Sequence, residues 1–157
     1  MVNGFAKGWA MTGWRLGYLS GPASVIKAAA ALQSQSTSNV CSFAQRGAVA
    51  AIEASRDCVR EMAVSYDQRR TLLVEGLQAL PGITLVPPKG AFYAFPQLPE
   101  ACGDSVNFCQ RALEQEGLAI VPGGAFGDDR CVRLSCAVSR ETITDGLSRL
   151  ARLLPSG

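Results

Sequence analysis

The chain has 157 residues, enough for one ordinary domain with a real core or for pieces of two. Hydrophobic residues make up 48% and charged residues 18%, a balance that fits a folded globular chain and argues against disorder, and the longest apolar stretches, such as 28–32, fall far short of the roughly 18 residues a membrane span needs. With 15 basic and 13 acidic residues the net charge is +2, and no basic run with interleaved aromatics occurs, so neither nucleic acid nor a membrane is an expected partner.

In chain order, residues 1–5 are too few for a complete element. The next stretch is dense in glycine and aromatics (Gly4, Gly8, Trp9, Gly13, Trp14, Gly17, Tyr18), which marks a tight loop. Residues 16–20 read as a short buried strand closed by Gly21-Pro22. From Ala23 to about Gln35 the spacing of Val25, Ile26, Ala29, Ala30 and Leu32 is helical, followed by a polar loop to Ser42. A second helical segment spans 43–79 with a break around 55–57, and a helix of that length is expected to connect two bodies. Pro81-Gly82 stops it. Short strands follow at 83–86 and 91–95 around a Pro87-Pro88-Lys89-Gly90 turn, then a helix over 105–116 capped by Asp104. Residues 118–121 and 131–136 are further strands. Ser139 caps a final helix whose Ile143, Leu147, Leu150, Ala151 and Leu154 form one face.

The sequence contains no histidine. That removes Ser-His-Asp and Cys-His catalysis, HExxH metal sites and the usual general acid-base residue together. Six cysteines (Cys41, Cys58, Cys102, Cys109, Cys131, Cys136) include no CxxC pair, so no metal site is expected. With no charged-then-apolar leader at the N-terminus, they read as small buried hydrophobes in a reducing, cytoplasmic setting, without disulfides.

Only three lysines are available. Lys27 sits on a helix and Lys89 in a turn, both ordinary solvated positions. Lys7 lies between Phe5-Ala6 and Gly8-Trp9, surroundings able to strip water from its amine and leave it nucleophilic, although snorkelling or a cation–π contact is the commoner fate of such a lysine. Arg133, flanked by apolar strand residues in Val132-Arg133-Leu134-Ser135, is costly to bury unpaired and must meet a carboxylate, from the protein or from a ligand.

The string Asn3-Gly-Phe-Ala-Lys7-Gly-Trp-Ala-Met-Thr-Gly-Trp-Arg15-Leu-Gly17 closely resembles the lysine signature of the class I/II aminotransferases, the fold-type I pyridoxal-phosphate enzymes, and in particular their aspartate/prephenate aminotransferase branch. The resemblance continues in order through Gly21-Pro22, residues 34–39, Pro88-Lys-Gly-Ala-Phe-Tyr93, Val121-Pro-Gly-Gly-Ala-Phe-Gly127 and Val132-Arg-Leu-Ser135. It implies that Lys7 carries pyridoxal 5′-phosphate covalently and moves a proton between Cα and C4′, that Arg15 holds the cofactor phosphate, and that Arg133 grips the substrate α-carboxylate. A planar guanidinium fork suits both anions. Tyr18, Phe92, Tyr93 and Phe126 are read as packing residues. The sequence departs from many relatives at Ala6 and Gly4, where they carry serines that help with the phosphate.

The resemblance implies an α/β fold. Residues 1–45 are the remnant of a large mixed-sheet cofactor domain, 46–80 a long connecting helix and 81–157 a small α+β domain. It places Lys7 well past the middle of a typical member, so the chain reads as a C-terminal portion, without the aspartate that pairs with the pyridine nitrogen, and it is expected to bind cofactor poorly and to leave apolar surface bare. The implied activity is amino-group transfer between an L-amino acid, aspartate or similar, and a 2-oxo acid, in a homodimer when full length. A fold-type I lyase or synthase, and a truncated non-catalytic module, are the alternatives.

Overall fold

The computed structural model describes residues 1–54 and 56–155. The chain divides into two compact units, Met1–Glu61 and Met62–Gly157.

The first unit opens with a strand, β1 (Val2–Gly4), paired antiparallel with β2 (Gly17–Leu19) in the register Val2↔Leu19, Asn3↔Tyr18 and Gly4↔Gly17. Residues 1–5 therefore do form an element. Their partner lies beyond a long loop, so nothing in five residues could announce the pairing. The terminal amino group and the carbonyl of Met1 both engage the Ser20 backbone, at 2.6 and 2.9 Å, and close the ladder. α1 (Ala23–Ser36) follows, extended slightly beyond expectation because Ser34 and Ser36 donate from Oγ to the carbonyls of Ala31 and Leu32 and so sit comfortably in the last turn. α2 (Ser42–Glu53) and α3 (Asp57–Gln78) are separate helices. The break expected near 55–57 falls between them, and Ser55 itself lies outside the described residues. The small core of this unit consists of Phe5, Met11 and Ala48, with Trp9, Leu16 and Ala51 packed against it. Val25, Leu32, Phe43 and Ile52 remain 52–74% exposed.

In the second unit β3 (Tyr93–Ala94), β4 (Val121–Pro122) and β5 (Val132–Ser135) form an antiparallel sheet in the order β3-β5-β4. The strand expected at 83–86 shrinks to a single bridge, Thr84↔Gln97, since Pro87 and Pro88 offer no N–H to extend a ladder. The strand expected at 118–121 is likewise reduced to its last residue plus Pro122. α4 (Ser105–Glu116) and α5 (Arg140–Leu153) begin where expected. The Asp104 carboxylate accepts from the Asn107 N–H at 2.9 Å, and Ser139 Oγ accepts from the Thr142 N–H at 3.2 Å.

The core of this unit gathers Leu73 and Leu77 of α3, Phe108 and Cys109 of α4, Ala94 and Val132 of the sheet, and Ile143 and Leu150 of α5. α5 is tied to the end of α4 through Glu116, whose carboxylate pairs with Arg152 at 2.6 Å and whose carbonyl accepts from Arg149. None of the six cysteines forms a disulfide. Four are buried, but Cys41 and Cys58 are exposed, contrary to the expectation for the set, because they stand at the starts of α2 and α3. Among the described residues no helix is long and apolar enough to cross a membrane.

Candidate functional site

The loop between β1 and β2 carries both Lys7 and Arg15. Phe5 leaves β1 with its ring buried, 5.3 Å from the Trp9 ring and 5.8 Å from that of Tyr18. Its backbone N–H donates to the Leu16 carbonyl at 3.2 Å, and its carbonyl accepts from Trp9 and Met11, which closes a tight turn around Lys7. Trp9 Nε1 donates to the Ala51 carbonyl at 3.0 Å and pins that turn to α2. The result is a lysine displayed on a rigid corner. Lys7 is an exposed residue, because Phe5 and Trp9 pack into the core of the unit, so the enclosure expected around it is not formed within this chain.

Arg15 ends the short 3-10 turn Thr12–Trp14 with a left-handed backbone, φ 52° and ψ 49°. Ala10, at the other side of this turn, also has positive φ, 53°. Two non-glycine residues in that region cost of order 1–3 kcal/mol each, and such outliers concentrate at ligand sites. Arg15 Nη1 donates to the Thr12 carbonyl at 3.1 Å, which folds the side chain back over its own turn. Beside it lies a cleft of about 550 Å³ lined by Ala10, Gly13, Trp14, Arg15, Cys41 and Phe43, among others. Four basic residues (Lys7, Arg15, Lys27, Arg46) and no acidic residue precede Glu53, so the electrostatics of this stretch favour an anion.

This donor set fits pyridoxal phosphate at two of its three recognition points. An amine for the aldehyde and a guanidinium for the phosphate sit on one fixed loop. A carboxylate for the pyridine nitrogen is not supplied by residues 1–52, which contain none.

Arg133 belongs to the second unit, in the central strand β5, directly opposite Val121 of β4. Successive strand residues face opposite ways, so Val132, fully buried, fills the core while Arg133 stands on the other face with Ser135 and its partner Tyr93. The guanidinium carbon lies over two aromatic rings, 4.4 Å from the centroid of Tyr93 and 4.3 Å from that of Phe126. Those two residues were read from sequence as packing. They pack, as expected, against other rings, but they are also the two aromatic neighbours of the Arg133 guanidinium, and the signal for this lies in the Gly-Ala-Phe-Tyr and Gly-Ala-Phe-Gly strings that precede the arginine strand in sequence.

Phe126 ends a 3-10 turn, Gly123–Phe126, closed by Gly127 at φ 94°. Asp128 and Arg130 form the next turn, joined at 2.7 Å, and the Arg130 guanidinium holds the Asp128 carboxyl down at about 2. The fully buried Ser105 donates from Oγ to the Asp129 carboxylate and accepts from the Gly124 N–H at 3.2 Å, latching the turn to the start of α4.

A family model for aminotransferase class I and II matches residues 1–150. An aspartate aminotransferase from Pinus pinaster is 42% identical over 98% of this chain and 34% of its own length. A probable aspartate/prephenate aminotransferase from Aquifex aeolicus is 43% identical over 98% of this chain and 40% of its own. The crystal structure of the aspartate aminotransferase from Rhizobium meliloti superposes with a TM-score of 0.91 at 39% identity, covering 98% of this chain and 41% of that one. The chain thus spans well under half the length of the relatives it matches.

Proposed function

The chain belongs to the class I and II aminotransferases, and from that premise we propose that it carries the lysine, the phosphate-binding arginine and the carboxylate-binding arginine of a pyridoxal 5′-phosphate-dependent transaminase. The observation that carries this reading is the single braced loop that bears Lys7 and Arg15 together, beside an open cleft and in a stretch free of acidic residues. Functionally, residues 1–45 would end the cofactor domain, 46–80 connect, and 81–157 form the small domain, a division by role that is finer than the two compact units.

The proposed substrates are an L-amino acid, aspartate or similar, and a 2-oxo acid, in line with the names of the relatives. Arg15 binds the phosphate dianion in its guanidinium plane. Arg133 binds the α-carboxylate and so orients the substrate Cα–H. Lys7 Nζ takes up the proton that leaves the substrate Cα. The cofactor, when bound, supplies the electron sink that makes that proton removable. The proposed assembly is a cytoplasmic homodimer of the full-length protein, in which the exposed apolar side chains Leu32, Phe43 and Ile52 would be covered by the rest of the chain or by the partner.

The test mixes the chain with pyridoxal 5′-phosphate, reduces with borohydride, and maps the covalent adduct by mass spectrometry. The expected result is an adduct on Lys7, with the accompanying absorbance band lost in Lys7→Ala. Labelling spread evenly over Lys7, Lys27 and Lys89 would sink the assignment.

A further inference from the structure

We infer that Tyr93 and Phe126 are positioning residues that set the orientation of the Arg133 guanidinium, so that its N–H donors stay free for a carboxylate. The inference rests on the reading of Arg133 as the carboxylate-binding group and adds to it what holds that group in place.

Among the described residues, most arginines elsewhere in the second unit are oriented by oxygen acceptors, the exception being the solvent-exposed Arg140. Arg70 is held by the Asp67 carboxylate, Arg130 by Asp128, Arg149 by Asp145 and the Glu116 carbonyl, and Arg152 by Glu116. Arg69, stacked on Tyr66 at 4.1 Å, still donates to the carbonyls of Ser65 and Val138. Arg133 differs from all of these. Among the described residues no carboxylate, carbonyl or hydroxyl oxygen takes a hydrogen bond from it, and its only close partners are the two rings. A ring face attracts a cation without using up its N–H groups, whereas an oxygen acceptor occupies them. Orientation and availability are thereby supplied by different atoms.

Both rings are themselves fixed. Tyr93 is placed by the β3–β5 register, and its ring packs against that of Phe92 at 4.4 Å. Phe126 packs edge-on against Phe95, with centroids 6.2 Å apart at 86°. The turn that carries Phe126 is held from one side by the Gly123 N–H donating to the Cys131 carbonyl at 2.9 Å, and from the other by the Ser105–Gly124 bond. Tyr93 comes from β3 and Phe126 from the turn after β4, the two strands that flank β5, so the clamp exists only when the whole sheet is assembled.

The experiment uses the full chain, ¹⁵N-labelled, and follows the Arg133 Nε–Hε resonance by NMR, assigned through its loss in Arg133→Gln. Pyruvate, the simplest 2-oxo acid, is the titrant. Wild type and Tyr93→Phe should show a ring-current-shifted Nε–Hε signal that moves on adding pyruvate. Tyr93→Leu and Phe126→Leu should each lose much of that shift and bind pyruvate about threefold to fivefold more weakly, the range expected for one exposed cation–π contact. Phe126 is 49% exposed, so Phe126→Leu does not threaten the core, and an unchanged melting curve checks this. An Nε–Hε signal and a pyruvate affinity that are the same in wild type, Tyr93→Leu and Phe126→Leu would overturn the clamp. A ring-shifted signal that is lost in both leucine variants yet ignores pyruvate in wild type retains the orienting role of the rings and removes the carboxylate reading instead.

Discussion

Gly123 shows how tightly one residue can be specified. A Cβ built there would run into the backbone carbonyl oxygens of Cys131 and Asp128, neither of which can swing aside as a side chain could. Its own N–H bonds to the Cys131 carbonyl, so the missing side chain is what lets the Pro122–Gly127 turn lie against β5. Gly123→Ala should therefore destabilise the second unit by about 3 kcal/mol, the upper range for overpacking a closed site, and shift Phe126 away from Arg133. Thermal unfolding followed by circular dichroism checks the first effect, and a substitution as mild as a surface one would contradict it. Lys7, Arg15 and Arg133 stand out as candidates at this scale, the first two because they share one long specific string and Arg133 because it is a charged residue among apolar strand neighbours. Tyr93 and Phe126 do not, since an aromatic beside a strand is usually core, and only the fold shows that they face the same guanidinium.

Among the elements, the helices that announce themselves through caps emerge as expected: Asp104 starts α4 and Ser139 starts α5. Strands were far less legible. β1 has three residues and depends on a partner across the Lys7 loop, while β3 and β4 have two residues each and end against prolines or turns. Short strands are stabilised by neighbours distant in sequence, so their local pattern is thin. Helix α2 also shapes the candidate cofactor cleft. The Trp14 ring lies over Gly47, where a Cβ would strike ring carbon Cζ3. Gly47→Ala, an exchange that by propensity alone would favour a helix by roughly 1 kcal/mol, should instead push Trp14 outward and disturb Arg15 beside it. The expected readout is altered Trp fluorescence and less pyridoxal phosphate adduct on Lys7, while the second unit melts unchanged. A Gly47→Ala chain that is simply more stable, with labelling unaffected, would rule this out.

For the whole molecule, burial of thiols sets a pH limit. Cys102, Cys109, Cys131 and Cys136 are buried, and loss of solvent pushes each of their thiols up, that of Cys109 to about 11. Between the ordinary thiol value near 9 and that figure, the unfolded chain gives up protons that the folded chain keeps. Stability from this source is full below about pH 9 and falls as pH rises toward 11. On the acid side the sign reverses. Asp128 titrates at about 2 because Arg130 holds it ionised, so its contribution is present above the ordinary carboxylate range and is lost as pH falls toward 2. Denaturant midpoints across pH should trace both limbs, and a maleimide reagent at neutral pH should label only Cys41 and Cys58 in the folded chain. Rapid labelling of all six thiols without unfolding would contradict the packing.

The left-handed backbone at Ala10 and Arg15 bears on more than geometry. Two disfavoured conformations cost free energy that the bonds bracing Phe5 and Trp9 must offset, so the β1–β2 connection is expected to open locally more readily than the same loop would with glycine at those two positions. A ligand that binds only the closed loop draws on that opening equilibrium. Its affinity is reduced by the fraction of time the loop is open, and in return it protects amides around Lys7 that it never touches. The strain in two residues thereby makes occupancy of the cleft and order in the hairpin a single linked equilibrium.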